Sequence, residues 1–169
     1  MLFFIWFVQY NMDSAKEYNN YHTRGWRNET MYGIFLLLHM IGTAALGFYL
    51  ILPFIVGGIQ KLSLGAQEGG INAIRVANRF AQYGLVVQLI TGGYMMSKGE
   101  YSVAWMIIIT VLLLAMFAIG GIMGKPLKGA LAGIREKREV AAETAKLRTF
   151  SIILAILLLV MIYLMVYAF

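Results

Sequence analysis

Apolar residues in this chain gather into four long runs that alternate with shorter polar segments. A helix of about 20 apolar residues, rising ~1.5 Å per residue, crosses the ~30 Å hydrocarbon layer of a bilayer. The runs predict spans at about residues 31–57, 77–97, 102–124 and 149–168. The pattern therefore predicts an all-α membrane protein, built as a four-transmembrane-helix bundle.

The segment before the first run has a different pattern. Residues 1–11 are apolar but too few to cross a bilayer, and Met12 is an alternative natural start. Residues 1–30 are therefore predicted to form an extracytoplasmic or interfacial segment. Residues 31–169 then form the four-helix transmembrane domain.

The connection between the third and fourth runs is charged. Pro126 is predicted to end the third span, because proline disrupts the interior of a helix. Beyond it, Leu127, Leu131 and Ile134 recur at helical spacing. Residues 127–148 therefore predict a cytosolic amphipathic helix or an extension of the last span.

The composition is that of a membrane protein. The chain is 60% hydrophobic and 13% charged, whereas a soluble domain carries about 25% charged residues. It contains no cysteine, which excludes disulfides, thiolate metal sites and iron–sulfur clusters. A net charge of +6 would suit a nucleic-acid partner, but its distribution follows membrane topology instead.

Most basic residues lie in two of the connections. Ten of the fourteen Lys and Arg residues lie in two places. Three are in the connection from the first run to the start of the second, and seven are in the connection between the third and fourth runs. They are Lys61, Arg75, Arg79, Lys125, Lys128, Arg135, Lys137, Arg138, Lys146 and Arg148. Because cytoplasmic loops carry an excess of such residues, both connections are predicted to face the cytoplasm of a bacterial cytoplasmic membrane. Both termini then face outward, N-out and C-out, and no nucleic-acid partner is needed.

His39 is the one histidine inside a predicted span, since the second, His22, lies in the polar segment before it. Gly42 and Thr43 follow His39 at i+3 and i+4 and share its helix face. Thr43 and Gly47 continue that face, so that a helix or a flat ligand can approach closely. Ionisable residues inside a membrane are costly, usually face the bundle interior and indicate function.

Counting residues from the outer end of each span places four side chains at one depth, roughly 12 Å down. They are His39, Gln88, Thr110 and Met161, with Thr91 and Met106 one turn nearer the surface. The layer predicts a cofactor or ion site, because neutral imidazole is a common ligand of haem iron and other metals. The alternative is a packing layer in which His39, Gln88 and Thr110 satisfy one another's hydrogen bonds.

Eleven methionines raise copper(I) as an alternative, because soft thioethers bind it, although methionine in apolar helices mostly fills space. The spans carry no paired carboxylates, and the chain has no Ser–His–Asp set, HExxH or phosphate loop, so no catalytic residue is assigned. The predicted cofactor-binding residues are His39, Gly42, Thr43, Gln88, Thr110 and Met161. The predicted metal ligands are His39, Met161 and Met106.

Leu38-His39-Met40-Ile41-Gly42, followed by Gly47, resembles the LHxxG…G pattern in the first helix of a group of small bacterial four-span proteins. The group includes the copper-resistance D membrane proteins, an uncharacterised family of integral membrane proteins, and the haem-dependent membrane protoporphyrinogen oxidases. The chain looks most like the uncharacterised family. The resemblance covers about residues 31–169 and extends to Thr91-Gly92-Gly93-Tyr94, Trp105-Met106 and Tyr163-Leu164-Met165-Val166.

The resemblance implies different roles in the different families. In the oxidases, the helix-1 histidine serves haem b and a helix-3 lysine supports catalysis. His39 matches the histidine, whereas Ile109 stands near the place of the lysine. That departure counts against porphyrinogen oxidation and leaves haem binding open. Similarity to the copper family implies passage of copper ions.

The predicted function is binding of haem b by His39, in a redox or haem-handling role. One alternative is copper or other cation passage, or metal handling. A second is a cofactor-free structural or assembly subunit of a larger membrane complex. With one intramembrane histidine per chain, the iron would be five-coordinate, take a thioether from Met161 or Met106, or be shared across a homodimer.

Overall fold

The computed structural model describes the backbone of residues 26–167 and the side chains of residues 30–167. Over that range the protein has six helices and no strand, which confirms the predicted all-α class. The helices are α1 (Trp26–Leu46), α2 (Phe48–Ile59), α3 (Leu64–Met96), α4 (Val103–Ile122), α5 (Gly124–Arg135) and α6 (Ala141–Val166). The predicted N-terminal segment, residues 1–30, lies almost entirely outside the described residues.

The six helices form four helical stretches, because a single residue separates each of two pairs. Gly47 lies between α1 and α2 and keeps helical torsion angles, φ −54° and ψ −24°. Met123 lies between α4 and α5 with φ −59° and ψ −20°. Helix α2 contains Pro53, which has no N–H for the carbonyl of Tyr49, four residues earlier.

The third helical stretch differs from the predicted stop at Pro126. Helix α5 begins at Gly124, so Pro126 lies in its first turn and is buried. Proline is tolerated there, because the first N–H groups of a helix have no carbonyl partner within it. The chain therefore stays helical as far as Arg135.

Helix α5 is amphipathic. Leu127, Leu131 and Ile134 are buried, while Lys128 and Arg135 are exposed. The apolar face packs on the N-terminal half of α3 and on α6. On the exposed side, Arg135 Nε lies 2.7 Å from Glu68 Oε1 of α3. The charged segment thus divides in two: its first part is α5, and its last part extends the N-terminus of α6.

Three helical stretches within residues 26–167 are long and apolar enough to cross a membrane: Thr30–Ile59, Val103–Arg135 and Ala141–Val166. Helix α3 is as long as the longest of these stretches, at 33 residues or about 50 Å, but it interleaves polar and apolar side chains. Much of the outward surface of the bundle is apolar, and Phe54, at 81% exposure, is the most exposed large apolar side chain in the described part of the chain. This surface indicates a multi-pass membrane protein, because lipid is the solvent that covers such a face at no cost.

Helix α3 packs against four of the other five helices. Helix α1 lies against its C-terminal half, α2 and α4 contact it, and α5 covers its N-terminal half. Helix α6 packs on α2, α4 and α5. Between these elements lies one apolar core, with Leu52, Leu85, Met116 and Leu154 completely buried. The arrangement leaves α1 attached mainly to α3, while α4 and α6 pair with each other.

Candidate functional site

A cavity of about 360 Å³ lies between the α1–α3 pair and the α4–α6 pair. Its wall is mostly aliphatic and contains no Lys, Arg, Asp or Glu side chain. The polar or sulfur-bearing residues on the wall are His39, Thr43, Gln88, Thr110, Met96, Met161 and Met165. Its volume falls in the range of about 300–1,000 Å³ that is typical of small-molecule sites.

Two glycines bring α1 and α3 together beside the cavity. A Cβ on Gly42 would lie 3.3 Å from the Gly84 carbonyl oxygen and 3.3 Å from Cγ and Cδ of Gln88. A Cβ on Gly84 would lie 3.2 Å from the Cβ of Ala45. The close approach places His39 and Thr43, on either side of Gly42 along α1, against the polar residues of α3.

His39 is held by α3. Its Nδ1 lies 2.8 Å from Oγ1 of Thr91, and that hydroxyl lies 2.7 Å from the carbonyl oxygen of Val87. With the Thr91 hydroxyl proton donated to Val87, as is usual for threonine in a helix, Oγ1 accepts from Nδ1–H. The free imidazole lone pair is then on Nε2, which makes no hydrogen bond within the described part of the chain. Metal-binding histidines are commonly held in this way by a bond at the other ring nitrogen.

Gln88 lies next to His39 on the cavity wall and is only 6% exposed. Its Nε2 donates to Oγ1 of Thr43, and the Thr43 hydroxyl donates to the carbonyl oxygen of His39, 3.0 Å away. Its Oε1 has no hydrogen-bond partner, and among the described residues it is the one fully buried side-chain oxygen or nitrogen in that condition. A buried acceptor without a donor costs about 1–3 kcal/mol, so this atom needs an explanation.

The structure brings most of the predicted site residues to this one cavity. His39, Thr43, Gln88, Thr110 and Met161 all lie on its wall. Gly42 lies instead in the α1–α3 contact, and Met106 is not on the wall. The alternative packing layer, in which His39, Gln88 and Thr110 form hydrogen bonds with one another, is not observed. His39 pairs with Thr91, Gln88 with Thr43, and Thr110 with its own helix through the Met106 carbonyl oxygen at 2.8 Å.

Sequence reasoning did not identify the partner of His39, and it did not single out two of the methionines on the cavity wall. Thr91 was placed one turn above the layer, yet its hydroxyl is the partner of His39. Its position three residues after Gln88, on the same face of α3, was the available signal. Met96 and Met165 also reach the cavity, from the C-terminal ends of α3 and α6. No pattern in the sequence distinguishes them from the methionines that fill the core.

The donor set limits which metals the cavity suits. Within residues 30–167 there is no group of three or more His, Cys, Asp or Glu side chains that could hold a metal ion. The wall instead offers one imidazole, from His39, and three thioethers, from Met96, Met161 and Met165. Imidazole and thioether ligands suit haem iron and copper(I) rather than magnesium or calcium.

A second buried polar cluster lies deeper in the bundle, at the junction of α2, α3 and α4. The Tyr49 hydroxyl donates to Oδ1 of Asn78 at 3.1 Å, and Asn78 Nδ2 donates to the carbonyl oxygen of Gly120 at 3.0 Å. A Cβ on Gly120 would lie 2.8 Å from the Tyr49 hydroxyl oxygen. Because its groups satisfy each other, this cluster stabilises packing and offers no free atom to a ligand.

Replacing Tyr49 by phenylalanine removes the one donor to Asn78 Oδ1 and is expected to destabilise the protein by about 1 kcal/mol. Thermal unfolding in detergent measures the effect. Tyr83→Phe is the matched control, because Tyr83 is 67% exposed on the outer face of α3. Equal melting temperatures for Tyr49→Phe and the control would show that the cluster contributes nothing measurable.

Comparison of the chain with protein-family models, with curated proteins and with solved structures finds no match. The LHxxG resemblance therefore stays a prediction.

Proposed function

We propose that this protein is a four-span membrane protein that binds haem b through Nε2 of His39, in a redox or haem-handling role. The observation that supports the proposal is the burial and hydrogen bonding of His39 on the cavity wall. The side chain is 8% exposed and lies on the wall of the cavity, and its Nδ1 is bonded to Thr91. An imidazole held in this way presents its second nitrogen as a ligand.

The residues of the cavity fit a haem in most respects. The aliphatic wall suits the macrocycle, and Gly92 and Gly93 of α3 lie on it. A Cβ on Gly92 would contact the His39 ring at 3.4 Å, whereas a Cβ on Gly93 would have nothing within 4 Å. The two propionates have no cationic partner on the wall, so they would lie at the outer end of the cavity. There Met96 ends α3, and Lys98 follows two residues later. When bound, the haem would supply one-electron chemistry, and a thioether from Met161 would raise its reduction potential.

The C-terminal half of α3, the second along the chain, is proposed as the remaining span, in addition to the three long apolar stretches. Its polar residues Asn78, Gln88 and Thr91 are buried, whereas Phe80 and Ile90 are exposed on its outer face. These three polar side chains would therefore face the protein interior rather than lipid. Interhelical hydrogen bonds of this kind are common between spans.

The proposed topology, with both termini outside, predicts which positions an impermeant thiol reagent reaches. Cysteines at Gly65 and Ala132 lie in the basic connections and are expected to be protected in intact cells, while one at Glu100 should react. Glu100 is preferred to Gly99, where a Cβ would collide with the Tyr101 ring. All three should react after the cells are opened. Labelling of the first two in intact cells would reverse the topology.

Copper(I) binding is the second candidate, and the three methionines on the cavity wall favour it. Met96, Met161 and Met165 surround the same space as His39, and one imidazole with several thioethers is a soft ligand set. A visible spectrum and a metal analysis of the purified protein separate the two candidates. A Soret band with one iron per chain would support haem b, and a colourless protein with bound copper would support metal handling. A protein with neither, purified with a stable partner, would be a structural or assembly subunit.

A further inference from the structure

We infer that a basic seam, formed by Arg75, Arg79 and Lys128 where α3 packs against α5, binds the phosphate headgroup of an anionic phospholipid. The two helices carry five basic residues and a single acidic one, Glu68. Glu68 is already paired, because its Oε1 lies 2.7 Å from Nε of Arg135. The three residues of the seam have no ion pair or side-chain hydrogen bond within residues 30–167. None of them lies on the cavity wall, so a lipid here and a haem there would not share space.

Two contacts, one at each end of the seam, set how the antiparallel helices align. At one end Arg135 of α5 pairs with Glu68 of α3. At the other end Gln82 of α3 lies beside Gly121 of α4, where a Cβ would be 3.7 Å from Nε2 of Gln82. Helices α4 and α5 follow each other closely, because Met123 between them keeps helical torsion angles. On each side the two contacts are 14 residues apart, or about four helical turns, so the helices stay level between them.

Midway between these contacts, Arg75 of α3 is level with Lys128 of α5. Each lies seven residues, or about two turns, from both contacts on its own side, and therefore on the face that meets the other helix. Arg79 follows Arg75 by one turn and is level with Gly124, where a Cβ would have nothing within 4 Å. Cations that face each other without a counter-charge repel, and a phosphate between them replaces the repulsion by charge-assisted hydrogen bonds.

The surroundings of the basic seam favour a lipid as the source of the phosphate. Val76 and Phe80 each follow one of the two arginines in the sequence and are 48% and 66% exposed. They belong to the apolar outward surface of the bundle, so acyl chains would lie along them while the headgroup reaches the cations. Arg75 and Arg79 lie on either side of the start of the predicted span 77–97, where headgroups meet hydrocarbon. Basic pockets between membrane helices are known to bind anionic headgroups at this depth.

The test compares two phospholipids with identical acyl chains, dioleoyl phosphatidylglycerol and dioleoyl phosphatidylcholine. The full-length chain is delipidated in a neutral detergent, and native mass spectrometry follows the first lipid bound as each is titrated. We expect phosphatidylglycerol to bind at least about tenfold more tightly, because it alone carries a net negative charge. An excess of glycerol 3-phosphate, which has no acyl chain, should not displace it. Displacement would show that the seam binds soluble phosphates and would overturn the inference.

Replacing Arg75 and Lys128 together by glutamine should bring phosphatidylglycerol down to the affinity of phosphatidylcholine. The matched control replaces Lys146 and Arg148 by glutamine, which removes the same charge from exposed positions on α6. The control should keep the preference. Neither pair makes a side-chain hydrogen bond within the described residues, so both variants should melt at the temperature of the natural protein. Equal affinities of the natural chain for the two lipids, a preference that survives in the seam variant, or an equal loss in the control would overturn the inference.

Discussion

Replacing His39 by alanine is expected to remove the Soret band of protein purified from haem-replete cells. The substitution deletes the only imidazole on the cavity wall, and the uncharged aliphatic residues that remain offer only thioethers as strong iron ligands. His22→Ala is the matched control. It removes the other histidine of the chain, which lies in the polar N-terminal segment, and should leave the pigment unchanged.

Met161→Leu tests whether Met161 is a ligand of the iron in addition to His39. Met161 is 5% exposed on α6, and leucine preserves most of its volume. If the Met161 thioether is a second ligand of the iron, the variant should keep the pigment but shift its absorption bands and lower its reduction potential. Optical spectra and a redox titration measure both changes. A natural protein that is colourless and cannot be reconstituted with haem would refute the haem site.

Replacing Gly42 by leucine is expected to destabilise the bundle by about 1–3 kcal/mol, through overpacking of the α1–α3 contact. The first added carbon already lies 3.3 Å from the Gly84 carbonyl oxygen, a backbone atom that cannot move independently. The rest of the leucine side chain would separate the two helices and break the pairing of Gln88 with Thr43. The melting temperature in detergent should fall by several degrees.

Gly33→Leu is the control for this prediction, because Gly33 lies on the same helix and a Cβ there has nothing within 4 Å. It should unfold at the temperature of the natural protein. If Gly42→Leu is equally stable, the α1–α3 approach is looser than the contact distances indicate. The α1–α3 contact would then not be what positions His39.

The helical class and the depth of the site residues follow from local rules. Hydrophobic runs of membrane length predict helices, because the backbone must satisfy its hydrogen bonds internally in lipid. The rise of ~1.5 Å per residue then sets how far each side chain lies from the end of its span. Counting along four helices was therefore enough to predict that His39, Gln88, Thr110 and Met161 share a level. The rise per residue does not tell in which direction each side chain points.

Direction, and with it every hydrogen-bond partner, was decided by the tertiary structure. The approach of α1 to α3 at Gly42 and Gly84 gives His39 the hydroxyl of Thr91 rather than the amide of Gln88. The rotation of α4 leaves Met106 off the cavity wall, although its depth is suitable. These outcomes depend on contacts between residues more than 40 positions apart.

Periodicity, length and polarity act within a single helix, so the apolar runs alone predict helices, although they did not predict that the third one continues past Pro126. The sequence by itself also determined that one imidazole would lie in an apolar layer, since no other histidine is within reach of a span. Only the packing of four helical stretches decided that a cavity remains beside that imidazole. The same packing left the Oε1 of Gln88 without a donor, because the closest hydroxyl protons are already bound to carbonyl oxygens of their own helices.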